Sequence, residues 1–407
     1  MNLLILTQYF PPEVGAPQNR LFELAIRLQK KGVAVSVLTA MPNYPKMEVH
    51  KEYAGKKYFY EENNGLKIHR SRIYVSKSKS IVNRLLNYFS FVYSSRVCGR
   101  KKIGVVDVIL CESPPLFLGY TALYLKRIKK AKLIFNVSDL WPESAEKLGV
   151  VTNSFLLRRA YQLEEKLYKN AELVSCQTLG ICKNINERFP KVKTYWLPNG
   201  VDLNYYIPEQ NKNLNWRAQN NFLENDFIFL YAGIIGMAQG LEIILAAAKK
   251  VIENKNIKFI LLGEGPMKVK LLQMKQNEKL GNVFFMEAVS KDKMSEILET
   301  VNATIIPLKK LDLFKGAIPS KIFESLAMQK PVLLGVDGEA RELFIEKGKC
   351  GLYYEPENVN ELVNKIHEIS SNRQLANQLG INGRNYVHQY FNRNEIADKF
   401  YNEIMKL

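Results

Sequence analysis

Short apolar runs alternate with amphipathic stretches through the first half of the chain. Leu3–Leu6 reads as a buried strand, and Leu21–Gln29 as a helix stopped by Lys31-Gly32. Further strands are expected at Val33–Leu38, Val105–Cys111, Lys132–Val137, Glu172–Gln177 and Thr194–Leu197, with helices at Tyr120–Lys126 and Arg158–Lys169. At Leu197-Pro-Asn-Gly-Val-Asp202 the pattern breaks into turn residues, and a polar stretch runs from Glu209 to Asn225. A second series then starts afresh. Its strands are Phe227–Ala232, Ile257–Leu262, Val283–Phe285, Ala303–Pro307, Val332–Gly335 and Leu352–Tyr354. Its helices are Leu241–Val251, Met267–Lys279, Ser290–Glu299, Lys321–Met328 and Ala340–Glu346, and the tail is helical over Asn360–Leu379 and Asn392–Met405. Such alternation predicts an α/β protein of two doubly wound parallel halves joined near residue 200. Ligands bind such sheets at the carboxyl ends of strands, so the cleft between the halves is the natural site. No G-x-G-x-x-G follows Leu3–Leu6, which disfavours hydride transfer.

Charge changes this picture. The 407 residues hold 58 Lys and Arg against 40 Asp and Glu, a net charge of +18. That balance implies an anionic partner: nucleic acid, a membrane surface or a phosphorylated ligand. Between Lys46 and Lys132 stand 19 basic and 6 acidic residues, so +13 of the excess falls there. Inside this stretch Ile81, Val82, Leu85, Leu86, Phe89, Val92 and Tyr93 recur at helical spacing as one apolar face. Asn83, Arg84, Asn87, Ser90 and Ser94 fall on the other. Lys77 and Lys79 precede the helix; Arg96, Arg100, Lys101 and Lys102 follow it. A helix of this kind can lie in an anionic membrane interface; the plain alternative is a core helix with solvated flanks. No run of ~18 apolar residues spans a bilayer, and Met1–Thr7 lacks the marks of a signal peptide. The expectation is a cytoplasmic protein, peripheral on the inner face of the cell membrane. The five cysteines are too scattered for a disulfide scaffold, and Cys176 and Cys182 lack partners at zinc spacing, so no metal site is expected.

Candidate chemistry gathers in the second half. In Tyr231-Ala-Gly-Ile-Ile-Gly-Met-Ala-Gln-Gly240, Gly233 and Gly236 would let backbone N–H groups approach a phosphate; a plain connecting turn explains them equally. The glycines of Leu262-Gly-Glu-Gly-Pro266 would admit a base or ribose. In Ile318-Pro-Ser-Lys-Ile-Phe-Glu-Ser-Leu-Ala-Met328, Ser320 offers a capping hydroxyl and Lys321 a cation, a set that suits a diphosphate. Glu324, one turn on, could accept hydrogen bonds from a ribose. An ordinary capped helix with Lys321 and Glu324 on its wet face is the competing reading.

Taken in order, seven pieces carry a resemblance. They are Tyr9-Phe-Pro-Pro-Glu-Val-Gly15 with Arg20, Pro42-Asn-Tyr-Pro45, Asp139-Leu-Trp-Pro-Glu143, Leu197–Asp202, Gly233 to Gly240, Gly263-Glu-Gly-Pro266 and Pro319-Ser-Lys-Ile-Phe-Glu324. Together they resemble the bacterial retaining glycosyltransferases of family 4, which have the GT-B fold of two Rossmann-like domains. The resemblance covers essentially the whole chain. It lies nearest to enzymes of capsule, O-antigen and colanic-type polysaccharide assembly, including N-acetylfucosaminyl transferases. It implies an acceptor domain at 1–203, joined by the helix 392–407, and a nucleotide-sugar domain at 204–391. It implies a UDP-sugar donor, no separate cofactor, and an undecaprenyl-diphosphate-linked acceptor. Ser320 and Lys321 would hold the donor diphosphate and Glu324 the ribose. Gly233, Gly236, Gln239, Gly263, Glu264 and Gly265 would line the donor pocket, Gly15 would approach the donor phosphate, and Arg341 would add a cation. Arg20, Asn43, Asp139 and Trp141 would lie on the acceptor side. The family's frequent glutamate eight positions before Glu324 is here Gly316, and its usual arginine and lysine after the first glycine are Ile234 and Gln239.

No Asp-x-Asp occurs, so leaving-group charge would be neutralised by Lys321 and fixed dipoles rather than a metal. Transfer with retention would pass through an oxocarbenium-like state, the departing phosphate taking the acceptor's proton and Asp139 serving as the alternative base. Two other classes compete. One is a UDP-sugar epimerase or hydrolase without a lipid acceptor. The other is a basic nucleic-acid-binding protein, against which no helix-turn-helix, zinc or RNA-recognition pattern appears.

Overall fold

The computed structural model describes residues 1–13, 15–44, 46–78, 80–208 and 216–407, without the side chains of Ala16 and Ile81. Val14, Pro45 and Lys79 of the motifs above, the first part of the polar stretch, and the side chain of Ile81 from the predicted apolar face lie outside the described residues. The chain divides into two units, Met1–Asn199 with Asn394–Leu407, and Gly200–Arg393.

Unit 1 has strands β1 (Asn2–Leu6), β2 (Ala34–Ala40), β3 (Tyr58–Asn63), β4 (Leu66–Ser71), β5 (Val108–Ser113), β6 (Lys132–Val137), β7 (Leu173–Cys176) and β8 (Thr194–Trp196). Their spatial order is β3-β4-β2-β1-β5-β6-β7-β8, parallel throughout except the antiparallel β3–β4 pair. Its helices are α1 (Ala16–Lys30), α2 (Ile81–Lys102), α3 (Gly119–Lys129), α4 (Glu143–Lys147), α5 (Ser154–Asn170) and α6 (Leu179–Arg188). Alternate residues of β1 serve opposite faces, as the pleat demands. Leu3 and Ile5 join Leu21, Ala25 and Leu28 of α1, while Leu4 and Leu6 join Phe91, Leu125 and Leu163.

Unit 2 has strands β9 (Phe227–Ala232), β10 (Ile257–Leu262), β11 (Val283–Met286), β12 (Ala303–Pro307), β13 (Val332–Gly335) and β14 (Gly351–Tyr353), all parallel in the order β11-β10-β9-β12-β13-β14. Its helices are α7 (Trp216–Gln219), α8 (Glu242–Lys250), α9 (Lys268–Asn277), α10 (Lys291–Thr300), α11 (Lys321–Ala327), α12 (Val359–Ser371) and α13 (Arg373–Tyr390). The last helix, α14 (Arg393–Ile404), returns to unit 1, where Ile396, Ala397, Phe400 and Ile404 complete the core around Leu3 and Ile5. In each sheet the winding reverses beside the first strand, at β1/β5 and at β9/β12. Those are the switch points at which open α/β sheets bind ligands.

Three expectations change. The β3–β4 hairpin was not expected, because its buried strand carries His69 and Arg70 where the pattern needs apolar residues. Arg70 is fully buried against Glu61 (2.6 Å), the Tyr53 ring, and the carbonyls of Pro11 and Ala40. The helix expected over 360–379 is two helices. Asn372 breaks the run, and its side chain caps α13 by accepting from the Leu375 N–H. Finally, Arg341–Lys347 is a π-helix rather than an α-helix.

Helix α2 leaves most of its predicted apolar face exposed. Ser80 caps it by accepting from the Asn83 N–H, and it runs past Tyr93 to Lys102. Asn87, expected on the face opposite the apolar one, is buried: it accepts from Gln8 Nε2 (2.9 Å) and donates to the Tyr74 carbonyl (2.6 Å). Ser90 Oγ accepts from the Tyr74 N–H, and Ser95 meets Thr121 (2.9 Å). Val92, assigned above to the membrane face, is instead buried, because it follows Phe91 on the docked side. Leu85 is half-buried. Left outside are Val82, Leu86, Phe89, Tyr93 and, beyond the predicted set, Val97. Their spacing of four, three, four and four residues draws one seam along the helix. The helix therefore docks through the buried Phe91, Val92 and Cys98 together with these hydrogen bonds, and turns a second apolar seam outward.

Candidate active site

In unit 2 the two glycine-bearing loops leave adjacent strands, β9 and β10, and are zipped together by backbone bonds. The Gly233 N–H donates to the Leu262 carbonyl, and the Ile235 N–H to that of Glu264, both at 2.9 Å. Gly263 and Gly265 hold φ of 146° and 158°. A Cβ on Gly263 would overlap the Gly233 carbonyl oxygen, and one on Gly265 that of Ile235. These glycines are thus required first for loop against loop. Gly263→Ala is expected to destabilise unit 2 by about 1–3 kcal/mol through this strained conformation, more where the loops must separate. Thermal melts of the variant check it, and an unchanged melting temperature would refute it.

Lys321, first residue of α11, points at this pair of loops. Its Nζ lies 3.8 Å from the centroid of the Tyr231 ring, and a Cβ on Gly233 would stand 2.9 Å from it. No carboxylate among the described residues pairs with it; Glu324 acts only through space. The residue as a whole is half-buried, but protein atoms surround the ammonium. Desolvation pulls its pKa down to about 7, opposed by Glu324. Tyr231, which sequence reasoning left as a strand residue, is the platform: it is 1% exposed and its hydroxyl donates to the Ile234 carbonyl (2.6 Å). A hydroxyl-bearing ring at the carboxyl end of an otherwise apolar strand was the available signal.

The other donor-side residues vary. Ser320 sits at the N-cap position, but its hydroxyl makes no cap bond, contrary to expectation. Its backbone is already helical (φ −59°, ψ −27°), so the side chain does not fold back over the first turn. Glu324 accepts from the Tyr206 hydroxyl, whose pKa rises through burial and that charge. The Gln239 amide folds back over Gly236. The Glu264 carboxylate pairs with Lys268 (2.5 Å). Arg341 pairs with Glu346 (2.9 Å) and Asp337 (3.5 Å) and lies over the Tyr353 ring. Gly316 leaves open space where a side chain would be.

In unit 1 the four acceptor-side residues come from segments after the carboxyl ends of β1, β2 and β6. Arg20 is buried in an ion pair with Glu112 (2.6 Å), and its Nη2 also donates to Ser138 (2.8 Å). Glu112 further accepts from Asn136 (2.6 Å), which accepts from Ser175 (2.7 Å). Asp139 is exposed and accepts from the Ser144 hydroxyl (2.6 Å). Crowding by protein atoms raises its pKa, while that bond and the Leu140 N–H oppose the rise. Because the residue reaches solvent, we read the effect as small. Trp141 packs edge-on against Phe117 (5.3 Å). Gly15 is extended (φ 175°), and its lack of a side chain admits Gln18 rather than an unusual backbone.

Glu13 was passed over inside its motif. Its buried carboxylate accepts from the backbone N–H groups of Asn43 (2.8 Å), Tyr44 (2.9 Å) and Phe10 (3.2 Å). One side chain thereby ties the loop after β1 to the loop after β2. Around these loops Gln8 Oε1, Gln18 Oε1, Arg20 Nη1 and Asn43 Oδ1 are buried without a partner among the described residues. Native structures rarely leave such atoms unsatisfied, so each marks a place for a polar ligand or water.

Known proteins fit this geometry. Residues 18–205 match the Glycosyltransferase Family 4 domain, and residues 212–386 the Glycosyl transferases group 1 domain. A protein of Escherichia coli (strain K12), provisionally named colanic acid biosynthesis glycosyl transferase WcaI, is 25% identical over 99% of this chain and 100% of its own. Sucrose-phosphate synthase from Thermosynechococcus elongatus superposes with a TM-score of 0.77 at 17% identity, covering 100% of both chains. Anabaena Alr3699/HepE, solved with UDP-glucose, gives 0.75 at 16% identity, again over 100% of both. No helix among the described residues is long and apolar enough to cross a membrane. With one matching domain over most of each unit, the chain belongs to the GT-B glycosyltransferases, family 4 in its first unit and group 1 in its second.

Proposed function

We propose that this chain moves an N-acetylated sugar from a UDP-sugar, with retention and without a metal, to a lipid-diphosphate-linked saccharide during assembly of a bacterial surface polysaccharide. The observation that carries this reading is Lys321. A cation held over an aromatic ring beside bare glycine backbone, with no carboxylate counter-ion, is poised for an anionic ligand. A donor diphosphate fits that demand, with Ser320 and the loop N–H groups not used in the zipper completing its cradle and Glu324 with Tyr206 facing the ribose. The UDP-glucose complex of a structural neighbour supports a nucleotide-sugar donor, and the colanic acid relative supports a surface polysaccharide as the product class. In unit 1, Arg20, Asn43 and Asp139 would meet the acceptor saccharide. As the bond to phosphate breaks, Lys321 would stabilise the leaving group, and the departing phosphate or Asp139 would take the acceptor's proton.

The α2 seam supports work at an anionic membrane surface. Full burial of each such side chain is worth about 1.5–3 kcal/mol. Residues 63–106 hold ten Lys and Arg and no Asp or Glu, which favours anionic lipid. The test is a panel of UDP-N-acetylhexosamines, each incubated with and without a synthetic prenyl-diphosphate saccharide. Transfer to the lipid-linked saccharide is expected, with the donor's anomeric configuration kept by NMR. Turnover that ignores the acceptor would make the chain an epimerase or hydrolase, and an inverted anomer would sink the retaining mechanism.

A further inference from the structure

The exposed seam of α2 does not end at the helix surface. Phe89 lies 4.9 Å, centroid to centroid, from Phe117, and Phe117 lies 5.3 Å from Trp141. Tyr88 flanks the same ring at 6.1 Å. Phe89 is exposed, whereas Phe117 and Trp141 are half-buried, so the rings lead from the surface inward. Trp141 stands two residues after Asp139 and three after Ser138. Ser138 is bonded to Arg20, whose Nη1 is buried without a partner. The rings thus lead from the apolar helix face to Trp141, on the segment whose Ser138 holds Arg20, a paired guanidinium with one unpartnered nitrogen. A flat bilayer would need only the seam. The inward turn at Phe89, the unpartnered Arg20 Nη1 near its far end and the basic flank of α2 match a single amphiphile with an anionic head and a long apolar tail.

We propose that Phe89, Phe117 and Trp141 seat the first isoprene units of the acceptor's prenyl chain, with its diphosphate directed toward Arg20, while the rest of the chain follows the α2 seam into the membrane. This rests on the lipid-linked acceptor class proposed above and adds where that lipid binds. Branched methyl groups pack well on aromatic faces. The absence of acids from residues 63–106 favours an anionic amphiphile on the α2 side of this route.

The test uses the full chain on phosphatidylcholine–phosphatidylglycerol vesicles. One set contains geranylgeranyl diphosphate with a diazirine on its first isoprene unit; the other contains phosphatidylglycerol with a diazirine on its acyl chain. After irradiation, the prenyl probe is expected to label the peptides of Phe117 and Trp141, and excess unmodified geranylgeranyl diphosphate to suppress that labelling. The phospholipid probe is expected to label only the α2 seam. No prenyl labelling at Phe117 and Trp141, or equal labelling there by both probes, overturns the proposal. In transfer assays, Phe117→Leu is expected to raise KM about tenfold for an undecaprenyl acceptor and to leave it unchanged for the same saccharide diphosphate on a short alkyl chain. Equal effects on both acceptors, or none, overturn it as well. Labelling needs no sugar transfer, so the two readings fail separately. Transfer without labelling removes the path and keeps the function; labelling without transfer does the reverse.

Discussion

Lys321→Ala is expected to lower kcat/KM for the donor by about 10²–10³-fold, the scale for removing one group that stabilises developing charge. The same side chain sets a pH dependence whose sign can be worked out. In the free protein its pKa is near 7, held down by desolvation over Tyr231. A bound diphosphate favours the charged form and raises it. Below about pH 7 the lysine is already protonated, so donor affinity is flat. Above that, binding must take up a proton, and affinity falls tenfold per pH unit until the bound pKa is reached. Calorimetric titration of UDP between pH 6 and 9, with proton uptake read from buffers of different ionisation enthalpy, measures this. Lys321→Met should abolish the uptake and flatten the profile. Linkage gives a second sign. A lysine whose pKa is lower folded than unfolded opposes folding at every pH below its unfolded value. Lys321→Met is therefore expected to raise the melting temperature of the ligand-free protein while it destroys donor affinity. Loss of both stability and affinity would mean that Lys321 is structural.

Arg20→Met is expected to be strongly destabilising to unit 1. Arg20 and Glu112 are both nearly inaccessible, with side chains 6% and 4% exposed. Removing the arginine leaves Glu112 charged and buried, which costs about 3–5 kcal/mol. Chemical denaturation should show this as a shift of the midpoint at unchanged slope. Adding Glu112→Gln should recover part of the loss, because it removes the stranded charge. Arg20→Lys should not rescue, since a lysine cannot reach Glu112 and Ser138 together. A cost under about 1 kcal/mol would mean that water enters and resolvates Glu112. The assignment of Arg20 to the acceptor side is thereby sharpened: Nη2 is used in the scaffold, and only Nη1 remains for a ligand.

Where residues are apolar inside and polar outside, the chain reads easily. Leu3–Leu6, Lys132–Val137, Phe227–Ala232, Ile257–Leu262 and Ala303–Pro307 are strands as expected, to within a residue. Reading failed where burial and polarity part company. Arg70 is buried in β4 because Glu61 and two carbonyls satisfy it, so the hairpin left no alternating trace. In α13, Gly380 and Gly383 look like helix breakers. They abut the Gln329 carbonyl and Leu326, where a Cβ would collide, so close packing of α11 requires what propensity disfavours. Helix α2 is the sharpest case. Its periodicity was legible, but which face docks depends on Gln8 and Tyr74, far off in sequence. The glycine loops and Lys321 were legible as motifs; Tyr231 beneath the lysine and Glu13 between two loops were not, since their roles exist only across strands.

The return of α14 to unit 1 bears on the order in which the protein is made. Ile396, Ala397, Phe400 and Ile404 fill the core beside Leu3 and Ile5, and Lys193 and Lys31 clasp the helix through Glu403 and Asp398. On the ribosome, the first half of the chain emerges with that side of its sheet uncovered, and it stays uncovered until the last helix is released. Unit 2, whose residues 200–393 are contiguous, has its whole core available sooner. The half translated first is thus the half completed last. A nascent chain stalled anywhere before α14 would carry an open apolar face on unit 1, a target for chaperones or for aggregation.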